Sequence, residues 1–128
     1  MKILYVDDDR INLVLFAHVC SKVPGTQLHI AADADEALMQ ARQHCPDLLV
    51  IDLHLPGADG CALLSMLRQQ PASRDVPAFL CTADATSEVR RRALAHGFQG
   101  VWPKPVDVST LAQALSLVGA VPLNGPQP

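Results

Sequence analysis

Short apolar runs alternate with segments of helical period along most of this chain. Each apolar run is rich in aliphatic or β-branched residues and has the length of a buried strand. The intervening segments carry apolar residues at helical spacing. Strands joined by helical crossovers form a parallel sheet with helices on both faces. We therefore predict an α/β, doubly wound (βα)5 three-layer sandwich, with strands near residues 2–6, 27–31, 48–51, 76–81 and 100–103.

Acidic residues mark where the predicted helices begin. Asp9 and Asp107 precede helical segments as N-caps, and Asp33 with Glu36 has the spacing of a capping box. Gly97 is placed to end the fourth helix. We predict one domain over residues 1–120, followed by a proline-rich disordered tail or linker over residues 121–128.

Composition narrows the classes of function. Hydrophobic residues make up 49% of the chain and aromatic residues 4%, so the core is mainly aliphatic. A formal net charge of -3 gives no electrostatic footprint for direct nucleic-acid binding. No apolar run reaches the roughly 20 residues of a membrane span, and the first residues enter a strand, which does not fit a signal peptide. We expect a cytoplasmic protein without membrane insertion.

The cysteines and histidines show no metal-ligand spacing. No C-x-x-C or H-x-x-x-H pair occurs, which argues against a zinc or redox centre. We expect the cysteines to be buried, reduced thiols: Cys20, Cys45, Cys61 and Cys81.

The third strand ends in a carboxylate, Asp52, and the chain turns directly afterwards at Pro56 and Gly57. Ligands of open parallel sheets bind at the carboxyl ends of the strands. A single acid in this position has a plain alternative interpretation, an ordinary residue at the start of a loop. The ends of the other strands decide between the two.

Polar side chains follow three further strands: Asp7 and Asp8 the first, Thr82 the fourth and Lys104 the fifth. Together with Asp52 they would meet at one edge of the sheet. Three carboxylates in close proximity favour a divalent cation, and hard oxygen ligands suit Mg²⁺. Lys104 and Thr82 supply a positive charge and a hydroxyl beside it, as phosphoryl transfer requires, and Asp52 would be the nucleophile.

At this point the chain resembles a response-regulator receiver domain, the CheY-like phosphoacceptor of two-component signalling, over roughly residues 1–120. The motifs that carry the resemblance are Val6-Asp7-Asp8, Asp52-Leu-His-Leu-Pro56 with Gly60, Thr82-Ala83 and Lys104-Pro105. The resemblance implies the flavodoxin-like strand order 2-1-3-4-5. It also implies phosphoryl transfer from a histidine kinase or histidine phosphotransfer protein, and signalling to a downstream protein target.

The resemblance also implies the residues of a Mg²⁺ (or Mn²⁺) site. Asp52 matches the phosphoacceptor, Asp8 the direct metal ligand, and Asp7 the acid that usually acts through water. The backbone carbonyl of His54 matches the remaining protein ligand. Asp9 then serves as a helix cap.

The switch residues are carried over in the same way. Thr82 matches the hydroxyl that turns toward the phosphoryl group, with Ala83 in the loop that moves with it. Lys104 matches the lysine that pairs with that group, and the Lys104-Pro105 bond is typically cis in the family. Such a domain catalyses only its own phosphorylation and dephosphorylation and turns over no metabolite.

Two positions depart from the family's pattern or modulate it. Receivers commonly carry Tyr or Phe three residues before the lysine, where this chain has Val101. The neighbouring Trp102 should face the opposite side of the sheet and cannot replace that ring. We therefore expect a weaker or differently built readout of phosphorylation. His54 is placed to flank the phosphoryl group, its alternative being a solvent-facing loop residue.

On the first helix, Ile11 and Leu15 are predicted to serve the core. Any of Ile11, Val14 or Leu15 that faced outward beside Asp52 would suit docking of a kinase or phosphotransfer helix bundle.

Two other functions fit parts of the pattern. Asp7-x-Asp9 also resembles the opening motif of haloacid-dehalogenase-type phosphatases, but only Asp107 follows Lys104 where that family needs an acidic pair. A receiver-like binding module that works without phosphorylation is suggested by Val101. The sequence fits either a stand-alone receiver or a piece of a longer protein.

Overall fold

The computed structural model describes residues 1–124 of the chain, and the side chains of residues 1–117. Strands and helices alternate throughout, with one short 3₁₀ turn, Pro71–Ser73, before the fourth strand. The strands are β1 (Lys2–Val6), β2 (Gln27–Ala31), β3 (Leu48–Asp52), β4 (Ala78–Thr82) and β5 (Gly100–Pro103). The helices are α1 (Arg10–Ser21), α2 (Ala34–His44), α3 (Gly60–Leu67), α4 (Ser87–Ala95) and α5 (Val108–Asn124).

The strands form one parallel sheet in the order β2-β1-β3-β4-β5. Both the predicted fold class and the strand order are confirmed. All five residues of the central strand β3 are buried, as its unbroken apolar run predicts for a strand covered on both faces.

Two aliphatic clusters cover the two faces of the sheet. One joins alternate strand residues to α2, α3 and α4, and the other joins the remaining strand residues to α1 and α5. Val101 lies in the first cluster and Trp102 in the second, where it stacks on Phe79 with ring centroids 4.4 Å apart. The predicted opposite orientation of these two side chains is confirmed.

The predicted helix caps are formed by side chains. Asp9 accepts a hydrogen bond from the Ile11 amide, and Asp33 accepts one from the Glu36 amide at 2.8 Å. Asp107 accepts one from Thr110 in the same way. These bonds satisfy amides that have no partner inside the helix, so each helix begins at a defined residue.

The predicted core face of α1 is wrong. Ile11 and Leu15 are 69% and 46% exposed, and Val14 is 64% exposed. The buried residues of α1 are Phe16, Val19 and Cys20. The helix has apolar residues on nearly every side, so its periodicity alone did not identify the stripe that packs on the sheet.

Cys45 is exposed, which corrects the expectation that all four cysteines are buried; the other three are buried thiols. It follows the last residue of α2 in a left-handed conformation, with φ 47°. Cys45 thus lies beyond the last turn of α2, whose buried residues are Ala37 and Ala41.

The predicted domain boundary at residue 120 falls within α5, which is helical through Asn124. The rest of the predicted tail, residues 125–128, lies outside the described residues, and the boundary stays a prediction. Within residues 1–124, no helix combines the length and the apolar character that crossing a bilayer requires.

Candidate functional site

Strand pairing brings the predicted polar residues to one edge of the sheet. Val6 pairs with Ile51, so Asp7 and Asp52 leave neighbouring strands at the same level. On the other side of β3, Asp52 pairs with Cys81, the residue before Thr82. The Lys104 amide donates to the Thr82 carbonyl at 3.1 Å, which ties the end of β5 to β4.

Three carboxylates converge there. One oxygen from each of Asp7, Asp8 and Asp52 lies within 4.8 Å of the others. Asp7 is fully buried and Asp52 is 5% exposed, whereas Asp8 is exposed to solvent. Clustered carboxylate oxygens with one open side fit a hard divalent cation that keeps some of its water. The Asp9 side chain is not part of this group, because it caps α1.

Lys104 bridges two of these acids. Its Nζ lies 2.8 Å from Asp7 Oδ2 and 2.9 Å from Asp52 Oδ1, and its side chain is 14% exposed. Burial disfavours the ammonium form, but hydrogen bonds to Asp7 and Asp52 outweigh burial and raise the pKa of Lys104. The lysine is therefore cationic, and the cluster as a whole keeps an excess of negative charge. The Lys104–Pro105 bond is cis, as the resemblance implied.

Asp52 occupies an unfavourable place for an anion. Burial raises the pKa of its carboxyl group, the hydrogen bond from Lys104 opposes that rise, and the charge of Asp7 adds to it. A divalent cation beside Asp52 would act in the opposite direction and keep the carboxylate ionised.

Tyr5 is a site residue that the sequence analysis missed. Its hydroxyl donates to Asp7 Oδ2 at 2.8 Å, and the ring stacks on Phe16 with centroids 4.2 Å apart. Tyr5 precedes Asp7 by two residues on a strand, so the two side chains share a face. Strand alternation, together with the need of a buried phenol for an acceptor, could have identified this contact.

Gly60 lies directly behind the backbone of Asp52. Its amide donates to the Leu53 carbonyl at 2.8 Å, which closes the loop after β3. A Cβ atom at this glycine would collide with the Asp52 carbonyl oxygen and lie 2.9 Å from Leu80 Cδ1. The first turn of α3 can therefore approach the end of β3 only without a side chain.

The Thr82 hydroxyl faces its own loop. It accepts a hydrogen bond from the Asp84 amide at 3.1 Å, and the residue is 1% exposed. Ala83, between the two, is exposed. A rotation of the Thr82 side chain would therefore exchange this loop contact for another partner.

His54 and Val101, the remaining candidate residues, differ in burial. His54 is exposed on the loop after β3. Val101 is buried at 8% exposure in the cluster under α4, with Arg90 Nη1 3.5 Å from its carbonyl oxygen. The structure thus brings the side chains of Asp7, Asp8, Asp52 and Lys104 into one cluster. The His54 side chain is exposed two residues beyond Asp52, and Val101 lies in the apolar cluster.

Comparison with known proteins identifies the family. Residues 3–116 match the response regulator receiver domain family. The match supports the receiver resemblance over the phosphatase suggested by Asp7-x-Asp9.

Relatives and solved structures agree with this match. The chain is 35% identical over 121 residues to the sensor histidine kinase AruS of Pseudomonas aeruginosa; the match covers 93% of the chain but 12% of AruS. The chemotaxis protein CheY4 of Vibrio cholerae superposes with a TM-score of 0.82 and 27% identity, over 91% of this chain and 97% of that one.

A third similar protein is the receiver domain of the sensor histidine kinase PA1611 from Pseudomonas aeruginosa. It has a TM-score of 0.81 and 27% identity over 92% of this chain and 97% of its own, and its structure contains a magnesium ion coordinated in the active-site cleft. The sheet, the converging strand ends and these matches together establish that the chain belongs to the response-regulator receiver family and contains a receiver domain of two-component signalling.

Proposed function

We propose that this domain is a phosphorylation-dependent switch in which Asp52 accepts a phosphoryl group from a histidine on a partner protein. The observation that carries the proposal is the contact between Lys104 Nζ and Asp52 Oδ1 at 2.9 Å, beside the carboxylates of Asp7 and Asp8. A nucleophile, a cation and a cation-binding acid cluster are thereby within reach of one phosphoryl group.

The proposed chemistry follows from the charges of these side chains. A carboxylate oxygen of Asp52 attacks phosphorus, the phosphorus–nitrogen bond of phosphohistidine breaks, and its electron pair stays on the imidazole, which takes a proton. Lys104 moves from the carboxylates to the phosphoryl oxygens and stabilises their charge, and the Thr82 hydroxyl turns from Asp84 to donate to them. Water later hydrolyses the acyl phosphate and regenerates Asp52.

A divalent cation, Mg²⁺ or Mn²⁺, fits the same acids. When bound, it would neutralise the charge of the phosphoryl oxygens. We assign Asp8, Asp52 and the His54 backbone carbonyl as direct ligands and Asp7 as a ligand through water. The proposal is supported by the three carboxylate oxygens within 4.8 Å of one another and by the magnesium ion in the similar PA1611 domain.

The experiment is phosphorylation with a small donor. Incubation with acetyl phosphate and Mg²⁺ should add the mass of one phosphoryl group, and removal of the metal with EDTA or Asp52→Asn should abolish the addition. A folded protein that remains unmodified, or an Asp52→Asn variant modified as fully as the wild type, would contradict the proposal.

We further propose that the exposed residues Ile11, Val14 and Leu15, here named the α1 patch, dock the phosphoryl donor. The patch lies on α1, which begins at Arg10, directly after the acidic residues that follow β1. Leu15 also lines a small cleft together with Lys104 and Pro105, so it lies beside the active lysine. An apolar helix face in this position suits a kinase or phosphotransfer protein that presents its histidine from a helix bundle.

A charged residue in the α1 patch should slow phosphoryl transfer from a protein donor but not from acetyl phosphate. Val14→Asp should reduce the rate from a phosphorylated histidine phosphotransfer protein by about tenfold, the effect of losing one interface anchor. The rate from acetyl phosphate should not change. Leu94→Asp on α4 is the matched control, because Leu94 is 59% exposed and lies outside the patch. An equal loss in both variants, or with both donors, would argue against docking at α1.

One observation favours a second candidate function, a binding module that works without phosphorylation. Val101 fills the position of the usual switch aromatic and is already buried. A small buried side chain has no exposed rotamer to exchange. In the switch proposed above, by contrast, phosphorylation moves Thr82 and its loop and is read out without a ring at this position.

Val101→Ala tests this readout. The change should lower the free energy of unfolding by about 1.5 kcal/mol through lost burial of two methyl groups. The change in amide hydrogen exchange of α4 on adding beryllofluoride and Mg²⁺ should persist. Loss of that response in Val101→Ala would show that Val101 does transmit the signal, and absence of the response in the wild type would favour the phosphorylation-independent module.

A further inference from the structure

The ring of Tyr5 lies in the apolar core, and its hydroxyl contacts the acid cluster. The residue is 2% exposed, its ring stacks on Phe16 at an interplanar angle of 9°, and its hydroxyl reaches Asp7 Oδ2 at 2.8 Å. A buried ring held flat against another ring has little freedom, so the position of the hydroxyl is fixed.

The two carboxylate oxygens of Asp7 accept different numbers of hydrogen bonds. Oδ2 receives the Tyr5 hydroxyl and the Lys104 ammonium, each at 2.8 Å. Oδ1 receives the Asp9 amide at 2.9 Å. Each carboxylate oxygen accepts about two hydrogen bonds, so Oδ2 is fully used and Oδ1 keeps one free lone pair. The free lone pair is the one available to a cation or to its bound water.

The hydrogen bond from Tyr5 matters most to Asp7 when Lys104 is no longer bound to that carboxylate. Asp7 is fully buried, and a buried carboxylate oxygen without a donor is costly. If Lys104 moves to a phosphoryl group, the Tyr5 hydroxyl remains on Oδ2 and prevents the carboxylate from rotating.

We propose that Tyr5 is a positioning residue for the divalent cation: its buried hydroxyl fixes the Asp7 carboxylate so that Oδ1 is presented to the metal. The inference rests on the proposed function, because it concerns the same acid cluster. It goes beyond that function by assigning a role to a residue of the apolar core that touches neither the metal nor the phosphoryl group.

Tyr5→Phe removes only the hydroxyl. Isothermal titration calorimetry should show Mg²⁺ affinity about tenfold weaker than in the wild type, the usual effect of losing a group that orients a metal ligand. At saturating Mg²⁺ the rate of phosphorylation by acetyl phosphate should return to within about twofold of the wild type, since the loss lies in metal binding.

Ser73→Ala is the matched control. Ser73 is fully buried and its hydroxyl donates to the Leu67 carbonyl at 2.6 Å, away from the acids. Like Tyr5→Phe, this variant loses one buried hydroxyl, so the two should lose similar amounts of unfolding free energy. Ser73→Ala should keep the Mg²⁺ affinity of the wild type. Wild-type affinity in Tyr5→Phe, or an equal loss in Ser73→Ala, would overturn the role of Tyr5. A wild-type protein that binds no Mg²⁺ would overturn both this inference and the proposed function.

A second measurement does not depend on whether Tyr5→Phe folds. Tyr5 is the only tyrosine of the chain, so uniform 3-fluorotyrosine labelling gives a single ¹⁹F resonance that belongs to it. That resonance should shift with Mg²⁺ at the midpoint found by calorimetry, and should not shift with NaCl at equal ionic strength. A resonance that saturating Mg²⁺ leaves unmoved would refute the inference.

Discussion

Replacing Gly60 by alanine is expected to lower the free energy of unfolding by about 3 kcal/mol, the upper range for inserting a methyl group into a packed site. The added Cβ would collide with the Asp52 carbonyl oxygen and crowd Leu80 Cδ1 at 2.9 Å. The backbone of Asp52 must move to relieve the collision, and its carboxylate moves with it. Urea unfolding should measure the loss of stability, and acetyl phosphate labelling should show slower phosphorylation.

Gly25→Ala is the control for this change. Gly25 has a positive φ of 82° and no heavy atom within 4 Å of an added Cβ. The substitution should therefore cost about 1 kcal/mol through backbone strain, and it should not alter phosphorylation. If Gly60→Ala matched Gly25→Ala in stability and kept the wild-type rate, the loop after β3 would be more compliant than its packing implies.

Lys104→Met is expected to have the second large effect, a loss of about 10²-fold in the rate of acyl phosphate formation, as when one preorganised charge is removed from a transition state. Lys104 Nζ contacts Asp7 at 2.8 Å and Asp52 at 2.9 Å, and methionine has similar length but no charge. Two buried carboxylates would lose their cation. In EDTA the free energy of unfolding should therefore fall by about 3 kcal/mol.

The stability lost in Lys104→Met should depend on pH. The pKa of Lys104 is raised in the folded state, so its stabilising contribution is complete below the unfolded pKa of about 10.4 and is lost as pH rises through the folded value. The pKa of Asp52 is also raised, so its ionisation destabilises the fold as pH rises above about 4. Lys104→Met removes the ammonium group that stabilises the ionised Asp52 carboxylate. At pH 5 a larger fraction of Asp52 is protonated, so the loss of unfolding free energy should be smaller at pH 5 than at pH 7.

Urea titrations at the two pH values, with Lys22→Met as control, would check this expectation. Lys22 is an exposed lysine at the end of α1, and its loss should not affect stability or phosphorylation beyond about 0.5 kcal/mol. A deficit in Lys104→Met that did not depend on pH would place its origin in lost packing of the side chain, because packing has no charge dependence.

The sheet was predictable from the sequence because its strands are buried on both faces. A run such as Leu48 to Ile51 has no polar position that solvent could occupy, which identifies a central parallel strand. Because parallel strands end at the same edge of the sheet, the positions of Asp7, Asp52 and Lys104 after their strands were enough to predict that they lie close together.

The face of α1 and the contacts of Tyr5 and Gly60 were not predicted. Helix α1 has apolar residues on nearly every side, so its packing on the sheet decides which of them are buried. Phe16 packs there, and Leu15 does not. The contact between Tyr5 and Asp7 could have been predicted from strand alternation, whereas the contact of Gly60 is set by tertiary packing. The collision behind Asp52 depends on how closely α3 approaches β3, which periodicity does not encode.

Placement of Asp52 on β3 has a consequence for how the domain fluctuates. β3 is paired on both edges and buried along its whole length, whereas only Ala93 is buried among the nine residues of α4, all of which the structure describes. Partial unfolding begins where little buried surface must be released, so α4 should open and close many times while β3 stays closed. Asp52 should therefore belong to the slowest-exchanging unit of the domain, and the α4 segment can rearrange without opening β3.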